Sequence, residues 1–197
     1  MTKKCPFYNR EIKMKQMFSR KIIIVSVLVL ANLSVILLAS GCAAKASSMV
    51  PTSFEVVNKH PCTVSIKDSR GGIDAKPLWS SQISNIAYTK ALSNALAKSG
   101  VFQTVTKGDG ADYILDVTIW GYDQPWHGAN IVIGMKTKWE LTNAKTHAPV
   151  WSNTFTTAYR AEWLSSLFDQ ERIEKAHEAA VRTNIKEGIR RLSILSL

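Results

Sequence analysis

The sequence predicts a small α+β domain: an antiparallel sheet of about four strands with two helices packed on one face, preceded by an N-terminal signal or hydrophobic segment. Three observations indicate this architecture. Apolar and polar residues alternate with period two over several segments, as in half-buried strands. Two other segments repeat apolar residues at helical spacing. An uncharged apolar stretch runs from Ile22 to Gly41 and follows a basic flank.

The composition fits one folded domain plus a targeting or anchoring segment. The 197 residues are 46% hydrophobic and 20% charged. Residues 1–41 hold seven basic residues and one acid, so they carry +6 of the formal net charge of +10. The remaining Lys and Arg are dispersed among Asp and Glu, whereas a nucleic-acid binder needs a clustered basic face. We therefore expect no nucleic-acid partner.

The apolar stretch ends in a short motif. The residues before Cys42 read Leu-Ala-Ser-Gly (38–41). This order resembles the lipobox of bacterial lipoproteins, an apolar residue and small residues ahead of a cysteine. The resemblance implies that residues 1–41 are a signal peptide cleaved between Gly41 and Cys42, and that Cys42 is acylated and inserted in a lipid bilayer. Ala43 occupies the place of the inner-membrane retention Asp, which implies the outer membrane, facing the periplasm.

A permanent membrane anchor is the alternative. The apolar stretch is about 18 to 20 residues long, which is enough to span a bilayer. Residues 1–41 would then remain as a single-pass anchor in the inner membrane, with the basic flank in the cytoplasm. The start codon stays open between Met1, Met14 and Met17. In either case we expect residues 42–60 to be a flexible tether and residues 61–197 to be a periplasmic domain.

The first strand and the first helix are predicted from short patterns. Residues 62–66 alternate and are β-branched, which indicates a strand, and Gly71-Gly72 allows a turn after it. Ser80 or Ser81 is the predicted N-cap of the helix, and Gly100 is its predicted stop. The apolar face of this helix is predicted to comprise Ile83, Ile86, Ala87, Ala91, Leu92, Ala95 and Leu96.

Three strands and a helix are predicted next. The strands, 111–120, 130–141 and 150–159, should form an antiparallel meander. Asp169 is the predicted N-cap of the last helix, and Arg190 and Arg191 suit the negative end of its dipole. The predicted order is β-α-β-β-β-α. With both helices on one face of the sheet, the other face should turn four polar side chains toward water, namely Asp116, Lys136, Lys138 and Asn153.

Catalytic and metal-binding motifs are missing from the sequence. It contains no GxSxG, HExxH, CxxC or glycine-rich phosphate loop. No two histidines share a predicted helix face or strand face at the spacing of metal ligands; the four are His60, His127, His147 and His177. We therefore expect no catalytic residues, no metal and no cofactor. Cys62 is interpreted as a small buried apolar residue.

One loop is a candidate recognition site. Residues 121–128, between two predicted strands, contain Tyr122, Trp126 and His127. Exposed aromatic side chains on a hairpin tip often bind partners. The alternative is that Trp126 folds back onto the core.

Four segments carry a family resemblance. Residues 77–85, 111–116, 150–151 and 179–185 look like those of small uncharacterised bacterial lipoproteins, over about residues 62–192. The order of elements is also loosely similar to auxiliary lipoproteins of envelope transport systems. The resemblance implies a fold and a compartment but no activity.

Two functional interpretations remain. The first is a membrane-anchored periplasmic lipoprotein that acts as a non-catalytic accessory or scaffolding component and docks a protein partner. The second is a small-ligand (lipid or glycan) binding protein or enzyme of the envelope, which needs an apolar pocket with converging polar groups. Assembly into homo-oligomers stays open.

Overall fold

The computed structural model describes residues 45–72, 83–123, 131–161 and 169–197. All of them belong to the second of the chain's two compact units, residues 42–197. A short 3-10 helix, Ala46–Met49, comes first. The strands and helices that follow are β1 (His60–Ile66), α1 (Asn85–Ser99), β2 (Phe102–Thr106), β3 (Tyr113–Asp123), β4 (Ile131–Asn143), β5 (Pro149–Ala161) and α2 (Asp169–Ser193).

The five strands form one mixed sheet in the order β2-β1-β3-β4-β5. Strands β3, β4 and β5 form the predicted antiparallel meander. Strand β1, however, runs parallel to both β2 and β3. The prediction of an antiparallel sheet of about four strands is therefore wrong in strand number and in direction.

Strand β2 was missed because its pattern is short and weak. It has only five residues, and the adjacent Gln103 and Thr104 are both exposed, so the period-two alternation is broken. It follows directly on Gly100 and Val101 at the end of α1. Parallel neighbours need a crossover connection, and α1 supplies it between β1 and β2.

Helix α1 starts later than the sequence predicted. The hydroxyl of Ser84, not of Ser80 or Ser81, caps it by accepting a 3.2 Å hydrogen bond from the backbone N–H of Ala87. Gly100 ends the helix in a left-handed conformation (φ +63°), as predicted. The apolar face also differs from the predicted one at two positions: Ile86 is 80% exposed, and Tyr88 is fully buried. At about 100° per residue, Tyr88 lies on the same side of the helix as the buried Ala95, and Ile86 lies on the opposite side.

Both helices pack on one face of the sheet, the inner face. Most of its side chains form one core cluster with those of α1 and α2, and Ile133 belongs to a second, smaller cluster with Ala161, Ala176 and Ala180. Helix α2 approaches closely at Gly188, where an added Cβ would overlap the indole ring of Trp139. The buried inner-face residues are Val64, Ile66, Leu115, Val117, Ile119, Ile133, Met135, Trp139, Leu141 and Phe155.

A buried network of side-chain hydrogen bonds joins the helices to β4 and β5. The hydroxyls of Tyr88 and Thr137 both donate to Oδ1 of Asn184, at 3.1 and 3.0 Å. The Asn184 amide nitrogen donates to Thr157, and the Trp139 indole N–H donates to Thr137, each at 3.1 Å. Each amide and hydroxyl group therefore has a partner of the right kind, which fixes the position of both helices on the sheet.

The segment Lys45–Lys59, named here the N-terminal strap, lies on helix α2. Met49 is fully buried, and the backbone N–H of Asn58 donates to the carbonyl oxygen of Ser193 at 3.0 Å. The predicted flexible tether over residues 42–60 is therefore wrong from Lys45 onward. The composition of this segment hid its packing, because the buried apolar residues are few and lie between Ser, Lys and Pro.

The opposite face of the sheet, the outer face, is exposed over β4 and β5, and Asp116, Lys136 and Lys138 belong to it as predicted. Asn153 does not, because it lies on the same side of β5 as the buried Phe155. Its Oδ1 accepts a 3.1 Å hydrogen bond from Arg191 of α2. The described side chains that define the outer face are Asp116, Trp120, Val132, Lys136, Lys138, Glu140, Thr154, Thr156 and Arg160.

Candidate functional site

Several of the sequence-predicted site residues lie outside the described residues. These are Gly41 and Cys42 at the predicted cleavage and lipidation site, and Trp126 and His127 of the predicted binding loop. Tyr122 belongs to β3, where its backbone pairs with Met135 of β4. The prediction that the loop begins at Gly121 is therefore wrong, because β3 continues through Asp123, and the rest of the predicted loop lies outside the described residues.

An exposed tryptophan that sequence analysis did not select stands beside this loop. The pairing of β3 with β4 shifts between Ile119 and Gly121, so Trp120 is the additional residue of a β-bulge. Bulges turn side chains away from the regular strand pattern and are frequent beside binding sites. Trp120 is 56% exposed on the outer face. In the sequence Trp120 is the last residue of a segment in which apolar and polar residues alternate. Only its phase with the polar residues Asp116 and Thr118 indicated that it faces outward.

A lysine lies over the indole of Trp120. The Nζ atom of Lys136 is 5.2 Å from the ring centroid, a cation–π arrangement across the two strands. An exposed aromatic ring with a cation beside it presents both apolar area and positive charge. Tryptophan in this setting is the residue type that most often dominates binding energy at protein interfaces.

Ion pairs lie on β3 and β4 of the outer face. Arg70 donates a 2.8 Å hydrogen bond to Oδ2 of Asp116, and Lys67 lies 4.0 Å from the same oxygen. On β4, Lys138 and Glu140 form a pair of 2.8 Å. Because exposed pairs of this kind contribute little to stability, their side chains can exchange partners at low cost. The face is thus polar, charged and available for contacts.

His60 and Cys62 pack against the core of the domain. His60 is 4% exposed; its Nε2–H donates to the carbonyl oxygen of Leu192 at 3.0 Å, and its ring packs 5.4 Å from that of Phe102. Cys62 is half-buried against the core. Burial, with a smaller contribution from Asp112, raises the pKa of its thiol, which makes the thiol less reactive.

Two open grooves lie away from Trp120. One of about 500 Å³ runs between α1 and the loop after β1, where Asp68 and Lys107 are 3.7 Å apart. The other, about 340 Å³, lies beside the loops around Asp112 and His147. Asp112 is engaged there, since its Oδ2 accepts a 2.9 Å hydrogen bond from the backbone of Thr63. Neither groove has the apolar walls of a ligand pocket, since Ile86 is the one large apolar side chain that lines the first and Ile114 the one that lines the second.

Metal ligands do not converge in the part of the chain that the structure describes. Over residues 45–72, 83–123, 131–161 and 169–197, no three His, Cys, Asp or Glu side chains stand close enough to hold a metal ion. Across the same ranges, neither helix combines the length and the apolar character needed to cross a membrane.

Comparison with known proteins identifies the fold. No family model matches the chain, and no curated protein sequence matches it. The chain is similar in structure to a DUF330 protein from Xanthomonas campestris, with a TM-score of 0.59 and 16% identity over 77% of this chain and 94% of the other. At this identity the likeness shows a shared α+β fold and nothing about activity.

Two weaker likenesses have TM-scores below 0.5. A candidate lipoprotein from Caulobacter crescentus gives 0.46 at 14% identity, over 66% of this chain and 87% of the other. The dodecameric PelC of Paraburkholderia phytofirmans gives 0.40 at 15% identity, over 68% and 94%. We base no conclusion on these two.

Proposed function

We propose that this protein is a lipoprotein of the bacterial cell envelope, anchored through acylated Cys42. In this proposal it acts as a non-catalytic accessory or scaffolding component that docks a protein partner on the outer face. The observation that carries the docking proposal is Trp120, a large exposed aromatic side chain that a β-bulge holds on a sheet face left uncovered by the described elements.

The sequence around Cys42 supports the anchor. A basic flank, an apolar stretch and the small residues 39–41 precede this cysteine, and together they resemble a lipoprotein signal. Ala43 after the cysteine favours the outer membrane, facing the periplasm. The resemblance of the domain to auxiliary lipoproteins of envelope transport systems suggests a transport assembly as the setting.

Protein docking fits the outer face better than ligand binding or catalysis fits the grooves. Trp120 and Lys136 lie on the β3-β4 hairpin, two residues of which, Tyr122 in β3 and Trp126 in the connecting segment, are the predicted anchors. The competing candidate, a lipid- or glycan-binding protein or enzyme, needs an apolar pocket with converging polar groups, and the two grooves are open and lined mainly by polar residues.

The edge of the sheet supports a second mode of contact. Strand β5 is an edge strand of 13 residues, and its outer-face residues are mainly uncharged, with Arg160 the exception among those described. Edges of this length can pair with another chain. A second copy of this protein is one such chain, so the proposal includes homo-oligomers.

Intact mass spectrometry of the protein extracted from bacterial membranes tests the anchor. We expect the mass of residues 42–197 plus one diacylglyceryl group and one acyl chain. The variant Cys42→Ala should lose these additions, and Cys62→Ser should keep them. An unacylated full-length mass would contradict the lipoprotein proposal and favour the uncleaved anchor.

A further inference from the structure

The N-terminal strap is fixed to the domain from its first described residue. The backbone N–H of Lys45 donates a 2.9 Å hydrogen bond to Oε1 of Glu178, a side chain that is only 8% exposed. The guanidinium of Arg182 donates to the carbonyl oxygen of Ser48, and Met49 is fully buried. The chain is therefore attached to the middle of α2 at Lys45.

The strap then follows α2 toward the C-terminal end of the helix. Glu55 and Lys186 form an ion pair of 2.7 Å, which lowers the pKa of the Glu55 carboxyl. The backbone N–H groups of Val57 and Asn58 donate to the hydroxyl and the carbonyl oxygen of Ser193, at 3.1 and 3.0 Å. From Glu178 to Ser193 the strap thus runs along about 22 Å of helix.

The distance from the lipid site to the domain is limited by covalent geometry. Cys42 precedes Lys45 by three residues. An extended chain advances at most about 3.6 Å per residue, so the Cα atoms of Cys42 and Lys45 lie within roughly 11 Å in any conformation. A free tether up to residue 60 would reach roughly 60 Å when extended. Packing of the strap removes most of that reach.

On the basis of the proposed acylation of Cys42, we propose that the strap holds the domain directly on the membrane, with the N-terminal half of α2 against the phospholipid headgroups. Beyond Glu178, the helix face that the strap covers continues toward the N terminus through Lys175 and Glu171. These two side chains are one turn apart, about half exposed, and paired at 2.7 Å. Exposed groups of both signs suit a zwitterionic headgroup layer.

This arrangement gives the domain one orientation on the membrane. Lys175 lies near the anchored end of the strap, and Ile194, 53% exposed, lies just past the far end of α2. About 28 Å of helix separates the two positions. A partner would therefore meet the outer face in a fixed orientation above the bilayer.

Fluorescence quenching by a headgroup-attached quencher tests the orientation. The acylated protein, with Cys62→Ser and a fluorophore on a single cysteine at Lys175 or Ile194, is placed in vesicles of phosphatidylethanolamine and phosphatidylglycerol. We expect strong quenching at position 175 and weak quenching at position 194. A Gly-Ser linker of about twelve residues inserted between Ala44 and Lys45 adds roughly 20 Å of reach and should lower the quenching at position 175 to the level at position 194.

The outcomes separate the two proposals. Acylated protein in which both positions are quenched equally, with or without the linker, contradicts the membrane-bound orientation and leaves the lipoprotein proposal intact. Protein without acyl chains contradicts the lipoprotein proposal and this inference together. Melting curves of the linker variant establish that the domain is folded in each measurement.

Discussion

The two faces of the sheet use the same residue type in opposite ways. Trp139, on the inner face, is fully buried, touches helix α2 at Gly188 and donates its indole N–H to Thr137. Trp120, on the outer face, is 56% exposed and has a lysine over its ring. Burial and a satisfied indole N–H mark Trp139 as structural, whereas exposure at a β-bulge leaves Trp120 available for binding.

Removing Trp139 should have the largest effect on stability. The variant Trp139→Ala empties a large volume in the core and leaves the hydroxyl of Thr137 without its donor, so we expect the free energy of unfolding to fall by about 3–5 kcal/mol. Chemical denaturation of the purified domain measures it. A loss below about 1 kcal/mol would contradict the assignment of the inner face as the main core.

Adding one methyl group at Gly188 should have the next largest effect. Its Cβ would overlap the Trp139 indole, so Gly188→Ala must displace helix α2 or the ring, at a cost of about 1–3 kcal/mol. The measurement is again the free energy of unfolding. A neutral or stabilising result, as expected for Gly→Ala in an unobstructed helix, would show that α2 does not approach the sheet so closely.

The sequence predicted which side chains are buried better than it predicted strand pairing and element boundaries, for a physical reason. Apolar periodicity reports burial, and it identified Leu115, Trp139 and Ile189 correctly. It does not report strand direction, a short strand such as β2, or the start of α1 at Asn85, because these depend on partners elsewhere in the chain. The strap was missed in the same way, since its packing relies on contacts to α2 and not on its own composition.

The candidate site depended on a feature that no pattern contains. A β-bulge changes the register of a strand pair, and it can be recognised only when both strands are aligned. Trp120 therefore looked like the last residue of an alternating strand. The neighbouring loop was selected from its aromatic residues; the structure assigns Tyr122 to β3, and Trp126 lies outside the described residues.

The dependence of stability on pH should distinguish the carboxylate of Glu187, on helix α2, from a carboxylate on the outer face. Hydrogen bonds from Arg190 and Arg191 lower the pKa of Glu187 from 4.5 to about 2. This carboxylate therefore stabilises the fold above about pH 4.5, and its contribution is lost as the pH falls toward 2. Because the pair is partly exposed, we expect about 1 kcal/mol or less.

Two matched variants check this assignment through their pH profiles. Glu187→Gln should flatten the fall in stability between about pH 4.5 and 2, whereas Glu140→Gln, which removes an exposed outer-face pair, should leave the profile as it is. Identical profiles for the two variants would show that the carboxylate on α2 is no more important than a surface charge.

Removing Trp120 should have the smallest effect on stability. The ring contacts solvent and one lysine, so Trp120→Ala should change the free energy of unfolding by less than about 0.5 kcal/mol. A loss of 2 kcal/mol or more, roughly that of a core residue, would mean that Trp120 is structural and would remove the main argument for the docking surface.

Site-specific photo-crosslinking in living bacteria tests the central claim, that the outer face docks a partner. A photo-reactive amino acid replaces either Trp120 or Ile194, which are 56% and 53% exposed and so offer nearly the same accessibility. We predict a discrete crosslinked species from position 120, absent from position 194 and lost when Tyr122 and Trp126 are both changed to Ala in a chain with an unaltered melting temperature. Equal products from both positions, or none from position 120, would contradict the docking proposal.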